Sequence, residues 1–170
     1  DSLHAGFYNK ADIEALLLLE ERDILGYPLH EINTRELEKL LNENPYIKNV
    51  EIYSNIDGKL SIDIEQRKPI LRVITWKQNS YYLDEDGYIL KAYGNFTPHV
   101  LVASGYITES AELEESHNLK QLKENDRYAE WQDLHQLALF INSDSFWSHQ
   151  IVQLYFNDKA EFEIITRVGA

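Results

Sequence analysis

Residues 44–70 read NPYIKNVEIYSNIDGKLSIDIEQRKPI, two runs of strict alternation on either side of a turn signal. Val50 and Ile52 alternate with Glu51 and Tyr53; Leu60, Ile62 and Ile64 alternate with Ser61, Asp63 and Glu65. Period two sends one set to a buried face and the other to water. Between the runs stands Asn55-Ile56-Asp57-Gly58, where Gly58 takes positive φ without steric cost. The stretch therefore predicts a β-hairpin. Asn44-Pro45 stops whatever precedes it, because proline has no N–H to donate and biases its predecessor towards extended geometry. Pro69 is expected to end the second strand or to mark an edge.

A hairpin with one apolar face needs a cover, and the residues before it supply one. Asn33 fits an N-cap, with Glu36 at the third helical position and Ile32 placed to pack on Leu37. Leu37, Leu40 and Leu41 form the stripe that faces the hairpin. Replacing Asn33 by Ala should cost about 1 kcal/mol. An earlier helix is expected over Asp12–Leu25, with Ile13, Leu16 and Leu17 on its apolar side. Gly26 and Pro28 stop it.

Downstream the pattern stays β. Strands are expected over Ile70–Trp76, Tyr81–Leu83, Tyr88–Leu90 and Val100–Ala103, the last closed by Gly105. Glu109–Asn125 carries five glutamates and few large apolar residues, and reads as a solvated linker or weak helix. Arg127–Asn142 is an amphipathic helix with Tyr128, Trp131, Leu134, Ala138 and Ile141 on one face. Phe146 and Trp147 add aromatic mass after it. Ile151–Phe156 and Glu161–Val168 form a final hairpin around Asn157-Asp158. The class is α+β. A helix-helix-hairpin domain over residues 1–68 precedes a mostly antiparallel β domain with a packed helix over 69–170. No internal repeat is present.

Composition excludes several classes of function. Sixteen basic against 29 acidic residues give a net charge of −13. That disfavours nucleic acid, which needs a basic surface to release counterions, and it disfavours docking on anionic lipid. No cysteine is present, so disulfides and thiolate metal sites are out. No apolar run approaches the roughly 18 residues of a membrane span. The chain has no methionine, even at position 1, so an internal fragment is expected.

The chain carries no recognisable catalytic or metal-binding motif. The six histidines, at 4, 30, 99, 117, 135 and 149, show no ligand spacing, and His30-Glu31 does not continue into HExxH. Asp84-Glu85-Asp86-Gly87 runs into Tyr88-Ile89-Leu90, a strand, so it reads as an acidic turn and not a calcium loop. GxSxG and GxxxxGK[ST] are both absent. No catalytic, cofactor-binding or metal residue is assigned, and no small-molecule substrate is expected. The tryptophans and tyrosines form either a sugar platform or core, and their positions favour core. A glycan-acting enzyme would need carboxylates converging in a deep pocket.

Taken in order, these segments resemble the extracytoplasmic region of the bacterial division protein FtsQ, called DivIB in other bacteria. In that family a small POTRA domain ends in such a hairpin, whose second strand runs from apolar alternation into an acidic or amide residue, Arg and a proline, as Leu60–Ile70 does here. Tyr81-Tyr82-Leu83-Asp84-Glu85-Asp86-Gly87 resembles the hairpin that follows, and Val100–Gly105 the next strand and glycine. Trp131–Phe140, Phe146-Trp147 and Ile151–Val168 resemble the later helix and strand pair. The resemblance implies a POTRA-like domain whose first strand lies at or before the start of the chain. It implies a non-enzymatic scaffold, periplasmic or otherwise extracytoplasmic, held to the inner membrane by one upstream helix. FtsL and FtsB are the implied partners, recruited to the septum so that septal wall synthesis is regulated. It also implies that the β domain continues beyond Ala170, and that the family's main FtsB-docking strand lies there. The alternative is a POTRA-type scaffold of an Omp85-type outer-membrane assembly or secretion system. That reading is disfavoured because residues 70–168 are not a POTRA copy.

The last strand, Glu161–Arg167, is expected to be an open edge that accepts a partner's strand. Phe162 and Ile164 should face the helix carrying Trp131 and Leu134. Glu161, Glu163, Ile165 and Arg167 should lie on the other face and flank the incoming strand. If the Ile165 N–H points outwards, proline there should disrupt pairing.

Overall fold

Asn33 opens the first helix as its sequence requires: its Oδ1 accepts the Glu36 N–H at 3.3 Å, and α1 runs Thr34–Asn42. A computed structural model gives the fold for residues 32–55, 58–92, 98–109, 117–121, 128–159 and 161–167. The helix expected over Asp12–Leu25 lies outside the described residues. The chain divides into two units, residues 1–67 and 68–170.

In the first unit β1 (Ile47–Ser54) and β2 (Leu60–Gln66) pair antiparallel, with Val50 opposite Ile64 and Ile52 opposite Ile62. Asn55 N–H donates to the Lys59 carbonyl at 2.8 Å, and Gly58, at φ 71°, closes the turn. Leu37 and Leu41 pack on Ile47, Val50 and Ile52, while Ile32, Leu60, Ile62 and Ile64 fill the margin. Leu40, expected in the stripe, is only half-buried. At 100° per residue it sits at the stripe's flank, while Leu37 and Leu41 are a full turn apart on its centre line. On the outer face Tyr53 donates its hydroxyl to Asp63 at 2.9 Å. That bond holds the phenol above its ordinary pKa.

Glu38 adds a local device. Its Oε1 accepts the Ile52 N–H at 2.9 Å. With Asn55 donating to Lys59, the alternation of an antiparallel ladder turns the Ile52 amide away from β2. A helix carboxylate thus covers one amide on the outer side of β1, a way of blunting a strand edge.

The second unit is a seven-stranded sheet. Its strands are β3 (Pro69–Ile74), β4 (Ser80–Asp84), β5 (Tyr88–Lys91), β6 (Leu101–Gly105), β7 (His117–Asn118), β8 (Ile151–Phe156) and β9 (Phe162–Thr166). The spatial order is β7-β5-β4-β3-β6-β8-β9. Most joins are antiparallel, but β6 lies parallel to both β3 and β8. A parallel join needs a long crossover. Between β6 and β8 that crossover includes α2 (Ala129–Ser143) and α3 (Ser145–Gln150). Pro69, expected to end the hairpin or mark an edge, instead opens β3, an interior strand. The first position of a strand is where a missing N–H costs least.

The apolar face of α2 matches its sequence reading. Tyr128, Trp131, Leu134, Ala138 and Ile141 are buried against Leu71, Val73, Tyr81 and Leu83. Trp131 meets Tyr81 edge-on at 5.6 Å, and its indole N–H donates to the Thr108 carbonyl at 2.9 Å. His135 is also buried, with Nε2 donating to the Asp84 carbonyl at 3.0 Å.

Two expectations need correction. The acidic stretch Glu109–Asn125 is not simply a solvated linker in its described parts. Glu109 accepts from Thr75 at 2.7 Å and from Asn79 at 2.7 Å. His117-Asn118 adds a two-residue strand to β5, and Leu119 is buried. Nor are the tryptophans all core. Trp131 is fully buried, but Trp76 and Trp147 are 56% and 40% exposed. Asp144 caps the short helix α3 by accepting from the amides of Phe146 and Trp147, and both rings then project into solvent.

Candidate functional site

The β9 strand occupies one end of the sheet order, and among the described residues no strand lies beyond it. Its pairing with β8 places Phe162 opposite Phe156, Glu163 opposite Tyr155, Ile164 opposite Leu154 and Ile165 opposite Gln153. Two backbone hydrogen bonds set the phase. Asn157 N–H donates to the Glu161 carbonyl at 3.0 Å, and Arg167 N–H donates to the Gln150 carbonyl at 2.7 Å. Alternation then turns the backbone groups of Glu163 and Ile165 towards β8, and those of Phe162 and Ile164 outwards. The Ile165 amide therefore serves the existing ladder. The position to probe the edge with proline is Ile164.

The side chains divide as the alternation requires, with one difference. Cross-strand partners share a face, so Ile164 stands on the α2 side with Leu154, and Ile165 on the other side with Gln153. Phe162 packs on the core and meets Phe156 at 4.9 Å. Ile164, expected under the helix, is 53% exposed. The reason is footprint: α2 crosses the sheet at β3, three places inward of β9. Ile165 is 42% exposed, so the edge strand carries an uncovered isoleucine on each face. Glu161, Glu163, Ile165 and Arg167 are all exposed. Asn157 donates to Glu163 at 3.1 Å and its Oδ1 accepts the Glu161 N–H at 3.0 Å, which rigidifies the turn leading into β9.

Beside Ile165 and Glu163, the same face continues inward through Gln153 and Tyr155 of β8, then Val102 and Ser104 of β6. Among the described residues no three of His, Asp and Glu gather as metal ligands. His117 and His135 lie on different elements, and His135 is spent on the Asp84 carbonyl.

Against this geometry the comparisons are decisive. The family described as FtsQ/DivIB, C-terminal related, matches residues 68–170, more than half of the chain. The chain belongs to the FtsQ/DivIB family. The POTRA-like domain family matches residues 1–65, which contain α1, β1 and all of β2 but Gln66. Comparison with curated proteins gave no match.

Family membership makes the chain an extracytoplasmic region of a cell-division membrane protein, a scaffold that works through protein–protein contacts. Both matches point to a non-catalytic family. No helix among the described residues is long and apolar enough to cross a membrane. For an FtsQ/DivIB chain the informative surfaces are therefore those that meet other proteins, and β9 is an edge strand with outward backbone groups at Phe162 and Ile164. The sequence located this strand through its alternation. It missed the orientation of the amides, which depends on the hairpin's phase.

Proposed function

We propose that this FtsQ/DivIB chain recruits FtsL- and FtsB-like partners to the division septum by strand addition, with β9 serving as a docking edge beside the docking strand that the resemblance places beyond Ala170, and so regulates septal wall synthesis without catalysing a reaction itself. The observation that carries this is the outward-facing backbone of Phe162 and Ile164 on an edge strand with exposed isoleucines on both faces. An incoming strand takes backbone bonds from those groups, and alternate side chains provide selectivity. Glu161, Glu163, Ile165 and Arg167 flank it on one face. Two carboxylates, an apolar residue and a guanidinium in that order favour a strand with a basic end, an apolar centre and an acidic end. In the intact protein an upstream membrane helix holds this surface close to membrane-anchored partners. Residues 68–170 match FtsQ/DivIB and not a further POTRA copy, which counts against the outer-membrane assembly reading.

Paired proline variants test the docking mode. Ile164→Pro removes an outward amide and leaves the β8 ladder intact, so binding of an FtsB-like extracytoplasmic peptide should fall about tenfold or more with the melting curve little changed. Ile165→Pro breaks the ladder itself and should lower the melting temperature. Undiminished peptide binding by Ile164→Pro would show that partners dock elsewhere.

A further inference from the structure

On the face of the sheet away from α2, a groove of about 630 Å³ crosses β3, β6 and β8. Its walls come from alternate residues of three separate segments. Trp76 follows β3, Ser104 and Tyr106 lie in and after β6, and Gln153 and Tyr155 lie on β8. Trp76 and Tyr106 are 56% and 58% exposed, so two aromatic residues stand at the rim, with Lys77 Nζ 5.8 Å from the Trp76 ring centroid. The Trp76 N–H donates to the Ile107 carbonyl at 3.2 Å, which fixes the two segments side by side. The groove is a shallow, open concavity and not an enclosed pocket.

The polar groups are set for a ligand. Gln153 Nε2 donates to Ser104 Oγ at 2.8 Å. That bond orients the amide and leaves Gln153 Oε1 as an acceptor and the Ser104 hydroxyl as a donor, both on the groove side. At the end of the groove stands Gln78, whose φ is 67°. It is the only described residue other than glycine with a positive φ. A residue with a side chain there carries strain on the order of 1 kcal/mol. The turn between β3 and β4 sets that conformation, with Gln78 N–H donating to the Thr75 carbonyl at 2.9 Å.

Charge narrows the ligand class. None of the ten lining residues is charged, although 26% of the chain is. The charged neighbours stand at the margin, Lys77 beside the Trp76 ring, Glu109 bonded to Thr75, and Arg72 beside Val102, so the floor itself is neutral. An extended peptide would find no backbone partner. Both sides of β3, β6 and β8 are already paired within the sheet, so the floor offers no free backbone edge. What the groove does offer is aromatic rings beside neutral donors and acceptors. Sugar rings present that complement, with C–H faces that lie on aromatic rings and hydroxyls that both donate and accept.

We propose that this groove binds an uncharged saccharide, with Trp76 and Tyr106 as stacking platforms and Ser104, Gln153 and Gln78 bonding the hydroxyls. The site is separate from the β9 edge and does not depend on how partners dock there.

The test is a titration of the chain with neutral oligosaccharides, one series built on glucose and one on N-acetylglucosamine, followed by NMR. The Trp76 indole signal should shift with one series or both, while that of buried Trp131 stays still. Trp76→Ala should weaken binding about tenfold or more without moving the melting temperature, since the ring is exposed. Ser104→Ala should weaken it less. No shift with either series would overturn the proposal. So would binding that Trp76→Ala leaves intact, or a neutral peptide that binds in place of the sugars.

Discussion

Gly105→Ala is expected to lower the stability of the second unit by on the order of 3–5 kcal/mol, summing a left-handed backbone strain and an overpacking cost. Gly105 holds φ 114°, which side chains other than glycine's rarely tolerate. A Cβ there would stand 2.2 Å from the Phe156 carbonyl oxygen and 3.0 Å from the carbonyl carbon and the amide nitrogen of the same residue. These are backbone atoms, so no rotamer change relieves the contact. Nor can the strands move apart cheaply. Tyr106 N–H donates to that same Phe156 carbonyl at 2.9 Å, and β6 and β8 are parallel neighbours that are each paired on both sides. A urea melt followed by far-UV circular dichroism should show a large fall in midpoint. An unchanged midpoint would mean that the close approach of these strands is misplaced.

Leu41→Asp should unfold the first unit and leave the second one folded. Leu41 is 2% exposed and packs among Leu37, Ile47, Val50 and Ile52. The substitution removes apolar contact and puts a carboxylate where no cation is among its core neighbours, a cost of roughly several kcal/mol. Small units have little stability to lose. Limited proteolysis should cut within residues 33–67 while a fragment starting near Lys68 persists. Leu40→Asp, which the sequence alone would have recommended, should be milder because Leu40 is only half-buried. Equal resistance of wild type and Leu41→Asp would contradict the packing of α1 on the hairpin.

How much of this was legible in the chain depends on range. The β1–β2 hairpin was, because alternation, Asn55 and Gly58 act within a few residues of each other. So was the cap at Asn33 and the buried face of α2, each set by local spacing. What the sequence withheld involves coverage and long-range pairing. Alternation assigns Ile164 to a face but says nothing of how far α2 reaches across the sheet. Trp76 and Trp131 look alike as letters, and only the layer over each decides which is core. The parallel joins of β6 link segments about 30 and 50 residues away, beyond any periodic signal. Two residues, His117 and Asn118, are too few to show a period at all. The groove is hidden for the same reason: its alternate positions are scattered over three segments that become neighbours only in the folded sheet.

Amide hydrogen exchange by NMR, with and without an FtsB-like extracytoplasmic peptide, tests the docking claim most directly. In the free chain the Phe162 and Ile164 amides should exchange fast and those of Glu163 and Ile165 slowly, because alternate groups face outwards and towards β8. On binding, Phe162 and Ile164 should become protected while Glu163 and Ile165 change little. Protection gained elsewhere, with Phe162 and Ile164 still exchanging fast, would contradict strand addition at β9.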